Sequence, residues 1–315
     1  MRIPTNIYFI ILSLITLPAI IYSYLKVVYN DDIHIYFGVA RAASYFGSFP
    51  GNVDMAWETR PIGNRIIFYL LYKVCEPLYG NEYLFQVGTK AVIAVAVLLI
   101  SWYFAVQVCK HLKELNIYAV FLLTTVAIFA IHIMFLMETE WLCVILSLLT
   151  IALLLSDNKY AHVTAGSLLI LIVLMKLVTV FFIPILIAAW FLIEGGWYRP
   201  TKIRRALFGL EVGLLALVIA WALWFRNMIP DLILTFGLHD PSGIELTTRL
   251  YQMLIQSMAV LWFIPVLVVG LIAGVLVFID LIHHNTRFQQ LLFIIMWVCP
   301  ILSVFVQSEF FLYHY

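Results

Sequence analysis

Apolar runs that read as membrane spans recur along nearly the whole chain, and no other feature limits the possible folds as much. They fall at 7–28, 85–108, 117–136, 141–155, 161–175, 177–193, 206–225, 254–280 and 291–307. A helix needs about 20 predominantly apolar residues to cross the hydrocarbon core. Nine such runs in 315 residues predict an all-α, polytopic transmembrane helical bundle. They imply a single transmembrane domain over 1–315 and a multi-pass protein of the cell membrane. The runs at 141–155, 161–175 and 177–193 are short, as tilted spans or half-helices buried within protein would be.

Composition agrees with this reading. Hydrophobic residues make up 64% and charged residues 11%, against about 45–50% and about 25% in soluble domains. An ordinary cytosolic enzyme and a disordered segment are excluded. The formal net charge of +1 provides no field to attract nucleic acid, so no nucleic-acid partner is expected. Cys75, Cys109, Cys143 and Cys299 form no C-x-x-C pair, which argues against a disulfide framework or a zinc site. The first run follows Arg2 and precedes no small-x-small cleavage site, so it reads as an uncleaved anchor. The chain has no internal repeat, which weighs against an inverted-repeat transporter.

Lys and Arg mark the cytoplasmic side of short loops. With the N-terminus cytoplasmic, the inner loops hold Lys110, Lys113, Lys159, Arg199, Lys202, Arg204, Arg205 and Arg287. The acids then gather on the other face, among them Asp31, Asp32, Asp54, Glu58, Glu138, Glu140, Asp240 and Glu309. Two longer segments, 29–84 and 226–253, become extracytoplasmic loops. In the first, Ile33, Tyr36, Phe37 and Ala40 repeat at i, i+3, i+4, i+7, which predicts an amphipathic helix over 31–46. Asn30 or Asp31 would be its N-cap. A second apolar stretch, Ile66 to Val74, is too short to span. Both helices are expected to lie flat in the outer interface.

Candidate chemistry concentrates on that face. Asp31 and Asp32 stand where the first span would leave the membrane. A carboxylate there can take a proton from an attacking hydroxyl, two adjacent acids can hold a divalent metal, and the plainest role is a helix cap. Arg60 and Arg65 place two guanidinium groups five residues apart; their forks suit phosphate oxygens, although snorkelling arginines also contact headgroups generally. Glu138, Glu140 and Trp141 form a turn that can hold a sugar by hydrogen bonds and ring stacking, or simply a solvated turn beside an interfacial Trp. Lys176 interrupts two apolar stretches, where a charge faces a cavity, a partner or a lipid phosphate. His239 sits among Arg226, Asp240 and Arg249 in the second loop and can serve as ligand or base, though a lone loop histidine more often does neither. Glu211 and His132 fall inside spans. No G-x-x-x-x-G-K-[ST], G-x-G-x-x-G or G-x-S-x-G occurs, so a self-powered pump and a nucleotide-sugar domain are not expected.

Taken together, the acidic pair Asp31-Asp32 opening the first large loop, the interfacial helices with Arg60-Pro61 downstream, the turn Glu138-Thr139-Glu140-Trp141 and the later Lys176 and Pro184 resemble the GT-C superfamily of polytopic glycosyltransferases. The likeness is to the mannosyltransferase and protein O-mannosyltransferase type. The closing Phe310-Phe311-Leu312-Tyr313-His314-Tyr315 resembles an aromatic Tyr-His element of some members, in which further sequence often follows. The resemblance implies transfer of a sugar from a polyprenyl-phosphate donor to a glycan, lipid or protein acceptor on the extracytoplasmic face. It implies Asp31 or Asp32 as the catalytic base, Arg60, Arg65 and Lys176 around the donor phosphate, and no obligatory cofactor, some members using a divalent metal. Two other readings stay open. A lipid-linked glycan flippase or other transporter would use Lys90, His132, Lys176 and Glu211 within the bundle. A non-enzymatic membrane assembly subunit would present the outer acids merely as a solvated face.

Overall fold

The computed structural model describes residues 5–26, 31–47, 62–135, 139–175, 179, 183–194, 200–224 and 287–306, with five isolated positions between 272 and 283; at 31, 32, 62, 130–135, 139, 140, 220–224, 287, 288, 297 and 300–306 it describes the backbone alone. The described residues are helical and contain no strand. Ten α-helices follow in order: α1 Thr5–Lys26, α2 Asp31–Tyr45, α3 Ile62–Cys75, α4 Glu82–His111, α5 Ile117–Phe135, α6 Thr139–Leu155, α7 Lys159–Met175, α8 Ile183–Ile193, α9 Pro200–Trp224 and α10 Arg287–Val306. A 3₁₀ turn, Glu76–Leu78, links α3 to α4. The run expected over 254–280 lies almost wholly outside the described residues.

Two described helices are long and apolar enough to cross a membrane: α1, with 22 residues and mean hydropathy 2.0, and α4, with 30 residues and mean hydropathy 2.3. At 1.5 Å per residue α4 is about 45 Å long, the full thickness of a bilayer with its headgroups. By contrast α6, α7 and α8 have 17, 17 and 11 residues, short of the ~20 of an upright crossing. In α1 the hydroxyls of Ser13, Thr16 and Ser23 donate to carbonyls four residues earlier, which leaves that face without unsatisfied polar groups.

The local starts follow from side-chain caps. Asn81 accepts from the Leu84 N–H at 3.1 Å and opens α4. Asn116 accepts from the Tyr118 and Ala119 N–H groups and opens α5. Asn158 accepts from the Tyr160 N–H and opens α7. Asn at the N-cap satisfies donors that a helix start otherwise leaves orphaned.

The chain divides into two compact units, Met1–Leu177 with Arg199–Leu232, and Val178–Tyr198 with Ile233–Tyr315. In the first, α4, α5, α6 and α7 alternate in direction. At one end the start of α1 meets the start of α5, the Asn116 amide donating to Asn6 at 2.7 Å. At the same end the C-terminal carbonyls of α6 collect side chains from three other helices. His111 of α4 binds the Leu155 carbonyl oxygen at 3.1 Å, His162 of α7 that of Ser156 at 2.7 Å, and Lys202 of α9 donates to Leu154 at 3.5 Å. Orphan carbonyls and the negative end of the helix dipole account for this gathering. Lys110, Lys113, Lys159, Arg204 and Arg205 occupy the same helix ends and turns, which makes this the basic end of the unit.

Helices α7 and α9 run parallel and touch through glycines. A Cβ on Gly166 would strike the backbone of Ala206, and one on Gly209 the backbone of Val163. Ser167 donates across the seam to the Gly209 carbonyl at 2.8 Å. Close approach of backbones at small residues is the usual way apolar helices associate in lipid. In the second unit α8 packs on α10, burying Leu186, Ala188, Trp190 and Leu292.

Candidate functional site

The end of the first unit opposite its basic end carries α2 and α3. The apolar stripe of α2 is buried as its period requires: Ile33, Tyr36, Phe37 and Ala40 are all inaccessible. Protein covers it. Tyr36 stacks on Phe68 of α3 with ring centroids 4.7 Å apart, and Phe37 meets Phe68 and Phe85 edge-on. The second helix of the loop is observed over 62–75, longer than the apolar stretch 66–74, because its first turn packs on the protein. A Cβ on Gly63 would come within 2.7 Å of the backbone of Leu174 and Met175, at the end of α7.

The far ends of α2 and α3 are tied by polar contacts. Lys73 donates to Ser44 at 2.7 Å and to the Glu76 carboxylate at 2.9 Å, and Ser44 donates to the other carboxylate oxygen at 3.1 Å. Their hydrogen bond raises the Lys73 pKa and lowers that of Glu76. Arg41 lies over the Tyr79 ring at 4.8 Å. The thiol of Cys75, buried at the end of α3, is pushed up by desolvation.

These contacts fix the register. Arg41 on Tyr79 and Phe37 on Phe85 make α2 antiparallel to α4. Extended five to six residues from Phe37 and Phe85, about a turn and a half, this register sets the backbone of Asp32 and Asp31 level with Lys90 and Ala91. Tyr36 on Asn64 and Ser44 on Lys73, offsets of 28 and 29 residues, make α2 parallel to α3, so Asn64 and Arg65 stand level with Tyr36 and Phe37, more than a turn along α2 from its start. Lys90 is 0% exposed and Arg65 7%. Lys90 donates to the Tyr24 carbonyl at 3.2 Å, in the last turn of α1, and lies 5.4 Å from the centroid of the Tyr24 ring. Tyr24 in turn packs between Phe129 of α5 and Trp141 of α6. Arg65 and Lys90 are thus two cations buried at the end of the first unit where α2 begins.

Of the residues singled out in the sequence, Asp31 and Asp32 open α2, the position where carboxylates suit the helix dipole. Arg65 is buried in α3. Trp141 departs from both of its expected roles. It is 1% exposed, and its indole N–H donates to the Ile128 carbonyl at 2.7 Å, so it is a core residue and offers no face to a sugar. Glu140 falls in the first turn of α6. Glu211 is exposed on α9, among Leu207, Phe208, Leu214 and Leu215. Arg60, Glu138, Lys176 and His239 lie outside the described residues, although Met175, which precedes Lys176, touches Gly63. Lys90, which the sequence offered only for a transporter, is fully buried here. Among the described residues no three His, Cys, Asp or Glu side chains gather as metal ligands.

No protein-family model, no curated protein and no solved structure matches this chain.

Proposed function

We propose that the protein is an integral membrane glycosyltransferase of the GT-C kind. It would transfer a sugar from a polyprenyl-phosphate donor to an acceptor on the extracytoplasmic face. The observation that carries the reading is the burial of two cations, Arg65 and Lys90, at the end of the first unit where Asp31 and Asp32 open α2. A carboxylate at the start of α2 accepts the acceptor's hydroxyl proton as that oxygen attacks the anomeric carbon. The sugar–phosphate bond breaks with inversion, and the electron pair leaves with the lipid phosphate. Arg65 and Lys90, held in a water-poor site, offset that developing charge. The contact of Gly63 with Met175 supports placing Lys176 with this cation set, and Arg60 precedes α3 by two residues. Asp32 is taken as the base, and Asp31, the first residue of the helix, suits the positive end of its dipole.

Multi-pass insertion with a cytoplasmic N-terminus belongs to the same reading. Its support is the gathering of Lys110, Lys113, Lys159, Lys202, Arg204 and Arg205 at the end of the first unit opposite the acids.

The test is transfer of labelled sugar from a polyprenyl-phosphate donor in proteoliposomes. Asp32→Asn should keep the fold and lower the rate by about 10²–10⁴, the usual cost of losing a general base. Asn is itself a good cap, so a purely capping role would leave both Asp31→Asn and Asp32→Asn fully active. That result would overturn the catalytic assignment. Movement of intact labelled donor across the bilayer without sugar transfer would establish a transporter instead.

A further inference from the structure

Helices α1, α4 and α5 border an open groove of ≈ 650 Å³ that runs along α1 from Ile10 to Leu25, with Trp102 of α4 and Phe121 of α5 in its wall. This is about 22 Å of helix, somewhat more than the ~15 Å depth of one leaflet. No charged side chain lines it among the described residues. One cation stands at its end. Lys26, the exposed last residue of α1, holds its ammonium 4.5 Å from the centroid of the Tyr22 ring, and Tyr22 forms part of the wall. The ring face steadies the ammonium there.

A long apolar trough ending at a cation fits a hydrocarbon chain below an anionic head. If a methylene takes about the ~30 Å³ of a water molecule in the liquid, the groove holds on the order of 20 chain carbons. That is one fatty acyl chain; a polyprenyl chain several times as long does not fit. We infer that the α1–α4–α5 groove binds one acyl chain of an anionic glycerophospholipid, with the lipid phosphate against Lys26. The proposal rests on the membrane part of the functional reading and not on the transfer chemistry.

Trp102 in the wall provides the probe. The protein is placed in phosphatidylcholine vesicles containing either phosphatidylglycerol or phosphatidylcholine with brominated chains, at equal mole fraction. The contribution of Trp102 is taken as the difference from Trp102→Phe. Brominated phosphatidylglycerol should quench Trp102 about fivefold more effectively than brominated phosphatidylcholine, the factor expected for one basic residue facing an anionic headgroup. Lys26→Gln, a change at an exposed position, should bring the two to equality. Equal quenching in the unaltered protein, or a preference that survives Lys26→Gln, overturns the proposal. So does relief of quenching by polyprenyl phosphate but not by unbrominated phosphatidylglycerol. Protein that does not float with the vesicles would sink the membrane reading as well; protein that floats yet shows no preference sinks only this inference.

Discussion

Lys90 and Trp141 show how far a residue's chemistry depends on depth. An ammonium at 0% exposure is costly unless hydrogen bonds and opposite charge surround it. Lys90 meets a carbonyl that the end of α1 leaves without a helical partner. Methionine matches its length without the charge. An apolar replacement of similar volume is often neutral for stability, so Lys90→Met should leave the melting temperature in detergent nearly unchanged. If Lys90 faces the leaving phosphate, the same change should lower sugar transfer by about 10²–10³, the usual effect of removing one stabilising donor. An equal fall in melting temperature and activity would mark it as structural. Trp141→Phe should do the reverse. It removes the indole hydrogen bond and some ring volume, so a loss of about 1–3 kcal/mol is expected with KM for the donor unchanged. A rise in KM at constant stability would restore the sugar-stacking role read from the sequence.

At the scale of helices, periodicity told more than length. All four residues of the i, i+3, i+4, i+7 stripe of α2 are buried, because the spacing of a helix face is a property of the backbone; the fold buries Val39 and Ala43 besides. It could not identify what covers the face. The same stripe suits a lipid interface or the Phe68 and Phe85 rings, and the structure supplies the rings. The start of α3 at Ile62 was equally hidden: Gly63 and Asn64 carry no apolar signal, and their place depends on the distant end of α7. The parallel α7–α9 seam did leave a trace, since Gly209-Leu210-Glu211-Val212-Gly213 has the small-xxx-small spacing of closely packed helices. A reading built on apolar runs passes over it, because glycine and a carboxylate only dilute the run. Gly209→Leu should force the Val163 backbone aside and separate the helices. Overpacking of this kind costs about 1–3 kcal/mol or more. A melting temperature unchanged by Gly209→Leu would show that the seam does not hold these helices together.

For the whole molecule, the proposed insertion turns on whether the two ends of the first unit face different compartments. Helix α4 carries Glu82 in its first turn and Lys110 and His111 in its last, so its two ends can be labelled as opposite sides of one membrane-length rod. Gly80 lies in the turn before it, where a Cβ meets nothing within 4 Å; Glu114 lies exposed in the turn after it. Cys75 and Cys143 are buried, whereas Cys109 and Cys299 are partly accessible and are best changed to serine first. With Lys and Arg retained on the cytoplasmic side, Gly80→Cys should react with an impermeant maleimide in intact cells. Glu114→Cys should react only after permeabilisation. The reverse pattern would invert the topology and place Asp31 and Asp32 in the cytoplasm, away from a donor presented on the outer face. Labelling of both positions from one side would mean that α4 does not cross the membrane at all, and the bundle drawn from the apolar runs would have to be rebuilt around a different set of helices.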